Sequence, residues 1–323
     1  MKVKTYGTRG SVPIAREDSI QFGGNTTSLR IFSQCLPEKT ALVVDAGSGF
    51  MPLSYDLLAE GIMDIRLLFT HWHHDHTQGL LLAPHTFIPS AKITVWGPKE
   101  HNIGPNEVFA DIMKAPLFPV DYAKIRHRFT CKPLENIGNQ VLAIHPEGGH
   151  CLTLHHVYEK ALADGKQISF GKERFPIGEC LIVRMFKTTH PEYTVSYRFE
   201  EKPTGKVFVL LTDHENTDGQ PNDLLYHLRG ADLLIQDCQY SRERYDEQTA
   251  GFGHGTPDYC VKTALVAQIS CLGLTHHDPN ASDKDIQARL DEAIQCASKN
   301  KTGDSPNLTC FACADYGEYE VEF

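Results

Sequence analysis

No stretch of this 323-residue chain stays apolar for long. A helix that crosses a bilayer needs about 20 such residues in a row, so no membrane span is expected. The opening Met1-Lys2-Val3-Lys4-Thr5-Tyr6 lacks the apolar core of a signal peptide, and a cytoplasmic protein is expected. Basic residues are in deficit: 31 Lys and Arg stand against 41 Asp and Glu, a formal net charge of −10. Proteins that grip long nucleic acid usually present a Lys/Arg stripe. None is present here, which disfavours such a partner. Repeats and low-complexity tracts are also missing. The ten cysteines, at 35, 131, 151, 180, 238, 260, 271, 296, 310 and 313, are scattered through mostly apolar contexts. They read as reduced, packed thiols rather than a disulfide framework. Cys310-Phe311-Ala312-Cys313 matches C-x-x-C, but no second pair stands at zinc spacing.

What is present is concentrated in Thr70-His71-Trp72-His73-His74-Asp75-His76. The run follows the apolar Ile65-Arg66-Leu67-Leu68-Phe69, so a strand would end in a turn lined with imidazoles and a carboxylate. His71 and His73, two residues apart, can share one cation; Asp75 and His76, past the bend, can reach a second. Imidazole nitrogen with carboxylate oxygen suits Zn, Mn or Fe and does not suit a structural Cys-type zinc site.

Short apolar runs and glycine-rich turns alternate along the chain in two halves, predicting an α/β fold, an αβ/βα sandwich of four layers. Helices are expected from Met51 to Glu60, from Asp223 to Leu228, and from Pro257 to about Ile269. A long helix follows the cap at Ser282, with Ile286, Leu290 and Ile294 on one face. Strands are expected at Lys92–Trp96, Leu181–Lys187, Tyr193–Phe199, Val207–Thr212, Asp232–Gln236, Cys271–Thr275, Thr309–Cys313 and Tyr319–Phe323. The whole chain reads as one domain, with an insertion or an extended hairpin at about residues 131–185. Four residues cannot hold two cations, so later strand ends should supply more ligands. His190, Asp213 and His276 each stand where the first cluster stands, just past a strand's carboxyl end. A carboxylate can bridge two ions, which singles out Asp213.

The order His71/His73/Asp75/His76, His190, Asp213, His276 resembles the metallo-β-lactamase superfamily, on its ribonuclease Z-like and phosphodiesterase branch. Thr8-Arg9-Gly10-Ser11-Val12-Pro13 with Phe22-Gly23-Gly24-Asn25-Thr26-Thr27 is similar to that branch's opening hairpin. Asp45-Ala46-Gly47-Ser48-Gly49 resembles its second motif, and Gly253-His254-Gly255-Thr256 its His-Ser-Thr element. The resemblance implies two divalent ions, zinc first and manganese or iron as alternatives. It places His71, His73 and His190 on one, Asp75, His76 and His276 on the other, and Asp213 between them. The adjacent His277 is the alternative to His276.

A dinuclear metal-dependent hydrolase follows as the expectation, acting on a small phosphodiester such as a cyclic nucleotide. Asp75 would orient the nucleophile. The departing alkoxide needs a proton, and a positioned acid is typically worth about 10²–10⁴-fold. His254, in a glycine-flanked turn ahead of the Pro257 helix, is the expected donor, with His277 and His214 as second choices. Asp45 is expected to fix a ligand histidine, Trp72 to pack, and Asn25 and Thr26 to lie near the pocket. The alternatives are a ribonuclease Z-like endonuclease and a metal-bound sensor without turnover. No long arm of the kind tRNA-processing relatives use is evident, which counts against the endonuclease. A homodimer is a further expectation from the resemblance.

Overall fold

Ala41-Leu42-Val43-Val44 and Val207-Phe208-Val209-Leu210-Leu211 are apolar at every position rather than at alternate ones. That is the pattern of parallel strands covered on both faces. In the computed structural model, which describes residues 1–300 and 307–322, both runs are strands buried along their whole length.

The first sheet sets six strands side by side in chain order: β1 (Lys2–Gly7), β2 (Ser28–Phe32), β3 (Thr40–Val44), β4 (Asp64–Leu68), β5 (Lys92–Pro98) and β6 (Phe129–Leu134). The pairing is antiparallel from β1 to β3 and parallel from β3 to β6. The chain then crosses into a hairpin of β7 (Gln140–His145) and β8 (Gly149–Leu154), and forms a separate small hairpin of β9 (Gln167–Phe170) and β10 (Glu173–Pro176). It continues through β11 (Leu181–Lys187), β12 (Val195–Glu201), β13 (Val207–Leu211), β14 (Leu233–Asp237), β15 (Cys271–Thr275) and β16 (Thr309–Ala312). These form the second sheet in the order β16-β15-β14-β13-β12-β11-β7-β8, parallel from β13 to β16. A last strand, β17 (Glu318–Glu320), returns to the first sheet beside β1.

Parallel neighbours need crossover connections, and here helices supply several of them. Phe50–Ala59 links β3 to β4 and Pro105–Ile112 links β5 to β6. In the second half Asn222–Leu228, Pro257–Val266 and Asp283–Lys299 play the same part. The crossover helices cover the outer face of each sheet, where separate apolar clusters form around Phe50, Leu53 and Phe109 and around Leu224, Val261 and Ala264. Between the sheets lies a third cluster, with Val3, Ile31, Leu42, Leu68 and Trp96 from one side and Leu181, Val183, Tyr197, Phe199, Phe208 and Ile235 from the other. The layers are therefore helix, sheet, sheet, helix. Among the described residues no helix is long and apolar enough to cross a membrane.

One sequence expectation changes. Ile294 is 44% exposed, while Ile286, Arg289 and Ala293 face inward. A helix turns about 100° per residue, so strict four-residue spacing walks off the buried stripe and i, i+3, i+7 stays on it. The 131–185 stretch is built partly into the sheets, supplying most of β6 and all of β7 and β8. The helix His155–Ala163 and the β9–β10 hairpin then pack over Val141, Ala143 and Ile182. The end of the Tyr319–Phe323 expectation, Phe323, lies outside the described residues.

Phe199 is fully buried between the sheets, its ring stacked on Phe208 with centroids 5.7 Å apart. Phe199→Ala should cost about 3–5 kcal/mol of unfolding free energy, measured by urea denaturation. A loss below about 1 kcal/mol would mean that the two sheets do not depend on this contact.

Candidate metal centre

Ligands brought to one level must come from strands that end at one level. β3 delivers Asp45, β4 the His71–His76 run, β13 Asp213, β14 Asp237 and β15 His276, all at the carboxyl ends of parallel strands, and His190 follows the antiparallel β11. That edge is where open α/β sheets form their crevices. Asp45, Asp213 and His276 have left-handed backbone, with φ of 56°, 50° and 58°. Non-glycine residues in that conformation are uncommon and cluster at functional sites. In the histidine run the one-turn helix His74–Thr77 turns Asp75 and His76 inward and leaves His74 exposed. Trp72 anchors the run by donating to Pro98 O at 2.9 Å and packing on Phe69, the packing role expected of it.

Three groups of side chains bring their donor atoms within 4.8 Å of one another: His71, His73, His190 and Asp213; Asp75, His76 and His276; and Asp213, Asp237, His254 and His276. Asp213 stands at the centre. Its Oδ2 lies 3.6 Å from His71 Nε2, 3.9 Å from His190 Nε2 and 3.5 Å from His276 Nε2, and its Oδ1 lies 3.4 Å from His76 Nε2. Asp75 Oδ2 is 3.3 Å from His76 Nε2 and 3.2 Å from His276 Nε2, and it accepts the Ser11 amide at 2.7 Å. His73 Nε2 is 3.0 Å from the carboxylate of the exposed Glu192.

The electrostatics of this cluster are those of anions awaiting cations. Asp45, Asp75, Asp213 and Asp237 are all buried, and among the described residues no Lys or Arg side chain forms an ion pair with any of them. Imidazoles are the cationic partners of these carboxylates, beside hydrogen bonds from neutral donors. Burial pushes His76 down, but Asp75, Asp213 and Asp45 more than reverse it and hold the ring protonated well above its usual range. His276 behaves the same way: against burial, chiefly Asp213 raises it to about 9. Burial would lift Asp75 and Asp213, yet neighbouring imidazoles hold both below the ordinary carboxylate range. Burial and the charge of His76 depress His71, and burial depresses His190.

The histidines are also oriented for a metal. His76 Nδ1 sits 2.8 Å from Asp45 Oδ2, His190 Nδ1 3.0 Å from Thr194 Oγ1, and His71 Nδ1 3.1 Å from Thr70 Oγ1. Holding Nδ1 this way turns Nε2 toward the cluster, as outer partners of metal ligands do. Asp45 is itself held by the amide and hydroxyl of Thr70, each at 2.8 Å. Nε2 of His71 and of His76 is buried with no hydrogen-bond partner. Buried carboxylates, orphaned imidazole nitrogens and a mixed N/O donor set fit a pair of divalent ions, whose binding would displace the imidazole protons.

Beside this cluster His254 Nδ1 lies 2.8 Å from Asp237 Oδ2, with its ring 5.0 Å from His276 and 5.9 Å from His190. Sequence reasoning missed Asp237, although it obeys the strand-end rule that found Asp213. Of the two neighbours weighed as ligand or donor, His277 faces away and bonds Cys313 O at 2.9 Å, leaving His276 in the cluster. His214 bonds the Tyr259 hydroxyl at 3.1 Å. Asn25 and Thr26 do structural work, holding Ser48 through three hydrogen bonds and thereby fixing the turn after Asp45. The histidines of the 145–156 region bond elsewhere, His145 to Glu179, His150 to Arg66 and His155 to Arg184.

A Cβ added at Gly10 would lie 2.4 Å from His276 Cε1. Gly10→Ala should therefore displace that ring, and metal content measured by elemental analysis should fall from about two ions per chain towards one. Full occupancy in the variant would show that His276 holds no ion.

No family model matches the sequence. A curated ribonuclease Z from Clostridium acetobutylicum is 25% identical over 258 residues, covering 75% of this chain and 80% of that protein. Among solved structures, unliganded yeast PDE1 aligns over 98% of both chains with a TM-score of 0.63 at 14% identity. The metallo-beta-lactamase fold protein YhfI from Bacillus subtilis aligns over 99% of both, with a TM-score of 0.60 at 16% identity. The short form of human tRNase Z covers 100% of both, with a TM-score of 0.57 at 16% identity. With the layer order and strand-end clusters described above, these likenesses establish that the chain has the metallo-β-lactamase fold.

Proposed function

We propose that this protein is a dinuclear metal-dependent hydrolase of small phosphodiesters, with a cyclic nucleotide as the leading substrate. One observation carries the reading: seven side chains from four separate stretches of the chain converge in a cluster centred on Asp213, and a histidine already oriented by a carboxylate stands next to them. His71, His73 and His190 would hold one ion and Asp75, His76 and His276 the other, with Asp213 between. When bound, such a pair makes hydroxide available near neutral pH and offsets charge on phosphoryl oxygens.

The remaining steps belong to the chain's own groups. Asp75, fixed by the Ser11 amide, accepts a hydrogen bond from the nucleophile and sets its direction. Asp237 accepts the Nδ1 proton of His254, which leaves Nε2 to deliver a proton to the departing oxygen. The net charge of −10 supports a small substrate over a long polyanion. A ribonuclease Z-like endonuclease is the second reading, favoured by the likeness to the Clostridium acetobutylicum ribonuclease Z.

Metal-reconstituted protein should be assayed on bis-p-nitrophenyl phosphate, on 2′,3′- and 3′,5′-cyclic nucleotides, and on pre-tRNA. Diester turnover should vanish on chelation and return with zinc or manganese, with cyclic nucleotides preferred. Preference for pre-tRNA would establish the second reading instead. Turnover that ignores chelation would defeat both.

His254→Ala should lower turnover of an alkyl-leaving-group diester by about 10²-fold or more while leaving metal content unchanged. Asp237→Asn should fall in the same direction by a smaller factor. Unaltered kinetics in His254→Ala would remove it as the proton donor.

A further inference from the structure

Both oxygens of the Glu215 carboxylate are engaged, and the groups engaging them belong to the segment that leads to His254. Glu215 stands two residues past Asp213 and is 9% exposed. Its own amide donates to Thr189 O at 2.7 Å, directly ahead of His190. Its Oε2 accepts the Gly253 amide at 2.6 Å, directly ahead of His254, and its Oε1 accepts the Tyr245 hydroxyl. The next residue continues the pattern: Asn216 Nδ2 donates to Thr256 Oγ1 at 3.0 Å, and Asn216 Oδ1 accepts the Thr256 amide at 3.3 Å. His254 is thus gripped from one side by Glu215 and from the other by Asn216.

The segment needs such a grip. Gly251 and Gly253 both have left-handed backbone, with φ of 89° and 96°. A Cβ on Gly253 would lie 2.2 Å from His190 Cδ2, so the backbone there runs directly against that ring. A turn containing two glycines is cheap to rearrange unless something outside it fixes its amides. Among the described residues Glu215 forms no ion pair with Lys or Arg, so its charge is met by hydrogen-bond donors.

We propose that Glu215 is the positioning residue for His254, tying the loop after β13 to the loop ahead of Pro257–Val266. Glu215 itself touches neither substrate nor reacting atoms. The inference rests on the reading of His254 as proton donor. An amide in place of the carboxylate keeps one acceptor and sets an NH₂ group against the second donor, so Glu215→Gln is the discriminating change.

In metal-free protein, amide hydrogen exchange across residues 245–256 should run at least tenfold faster in Glu215→Gln, with the rest of the chain unchanged. Tyr245→Phe, which keeps the Gly253 bond, should show a smaller rise and covers the case in which Glu215→Gln does not fold. In metal-loaded protein, the ratio of diphenyl phosphate turnover to bis-p-nitrophenyl phosphate turnover should fall about tenfold or more in both Glu215→Gln and His254→Ala, because the poorer leaving group depends more on the acid. Wild-type exchange in Glu215→Gln would overturn the proposal. So would a ratio that falls in His254→Ala alone. A ratio unmoved in both variants would overturn the proton-donor reading, and loop exchange would then decide the Glu215 assignment by itself.

Discussion

Four buried carboxylates with only imidazoles for company are the constraint on which this molecule turns. Asp45, Asp75, Asp213 and Asp237 lie where water cannot solvate them, and isolated buried charges are costly. In the protein alone, His76 and His276 meet that cost by holding protons against the pull of burial. Divalent ions would meet it better, because each carries two charges and would take the imidazole lone pairs once those protons leave. The same buried charge would draw such cations to the site.

The fold makes the arrangement affordable. Parallel strands from both sheets end along one edge, so short turns are enough to bring five chain segments together. Left-handed backbone at Asp45, Asp213 and His276 turns each side chain back toward the cluster within one or two residues of its strand. Strain of that kind persists only where the surroundings over-determine it. Thr70 performs that service for Asp45, and the hydroxyl of Thr188, bonded to Asp213 O at 2.8 Å, does so for Asp213.

Much of this was legible in the amino-acid order, and the exceptions have physical causes. The His71–His76 run declares itself because its donors are contiguous, and His190, Asp213 and His276 follow from the rule that ligands sit past strand ends. Asp237 obeys the same rule, but it closes its strand from within and is followed by Cys238-Gln239-Tyr240, with no histidine beside it to draw notice. Glu215 was invisible for a different reason: its carboxylate bonds a backbone amide, which any residue type can offer, and a tyrosine hydroxyl thirty residues away. Ile294 misled because a spacing of four imitates the helical period over one step and departs from it over two. The 131–185 stretch looked like an addition because its alternation is irregular, yet β7 contributes Leu142 and Ile144 to the core between the sheets.

The location of the donor atoms gives that central core a second meaning. Asp45 and the histidine run belong to one half of the molecule, whereas His190, Asp213 and His276 belong to the other. Neither half holds the whole cluster. Whatever slides one sheet across the other moves the histidine run relative to Asp213 and His276, so the packing of Trp96, Phe199 and their neighbours acts as the gauge block of the cluster. Residues far from the cluster thereby set how its two halves meet.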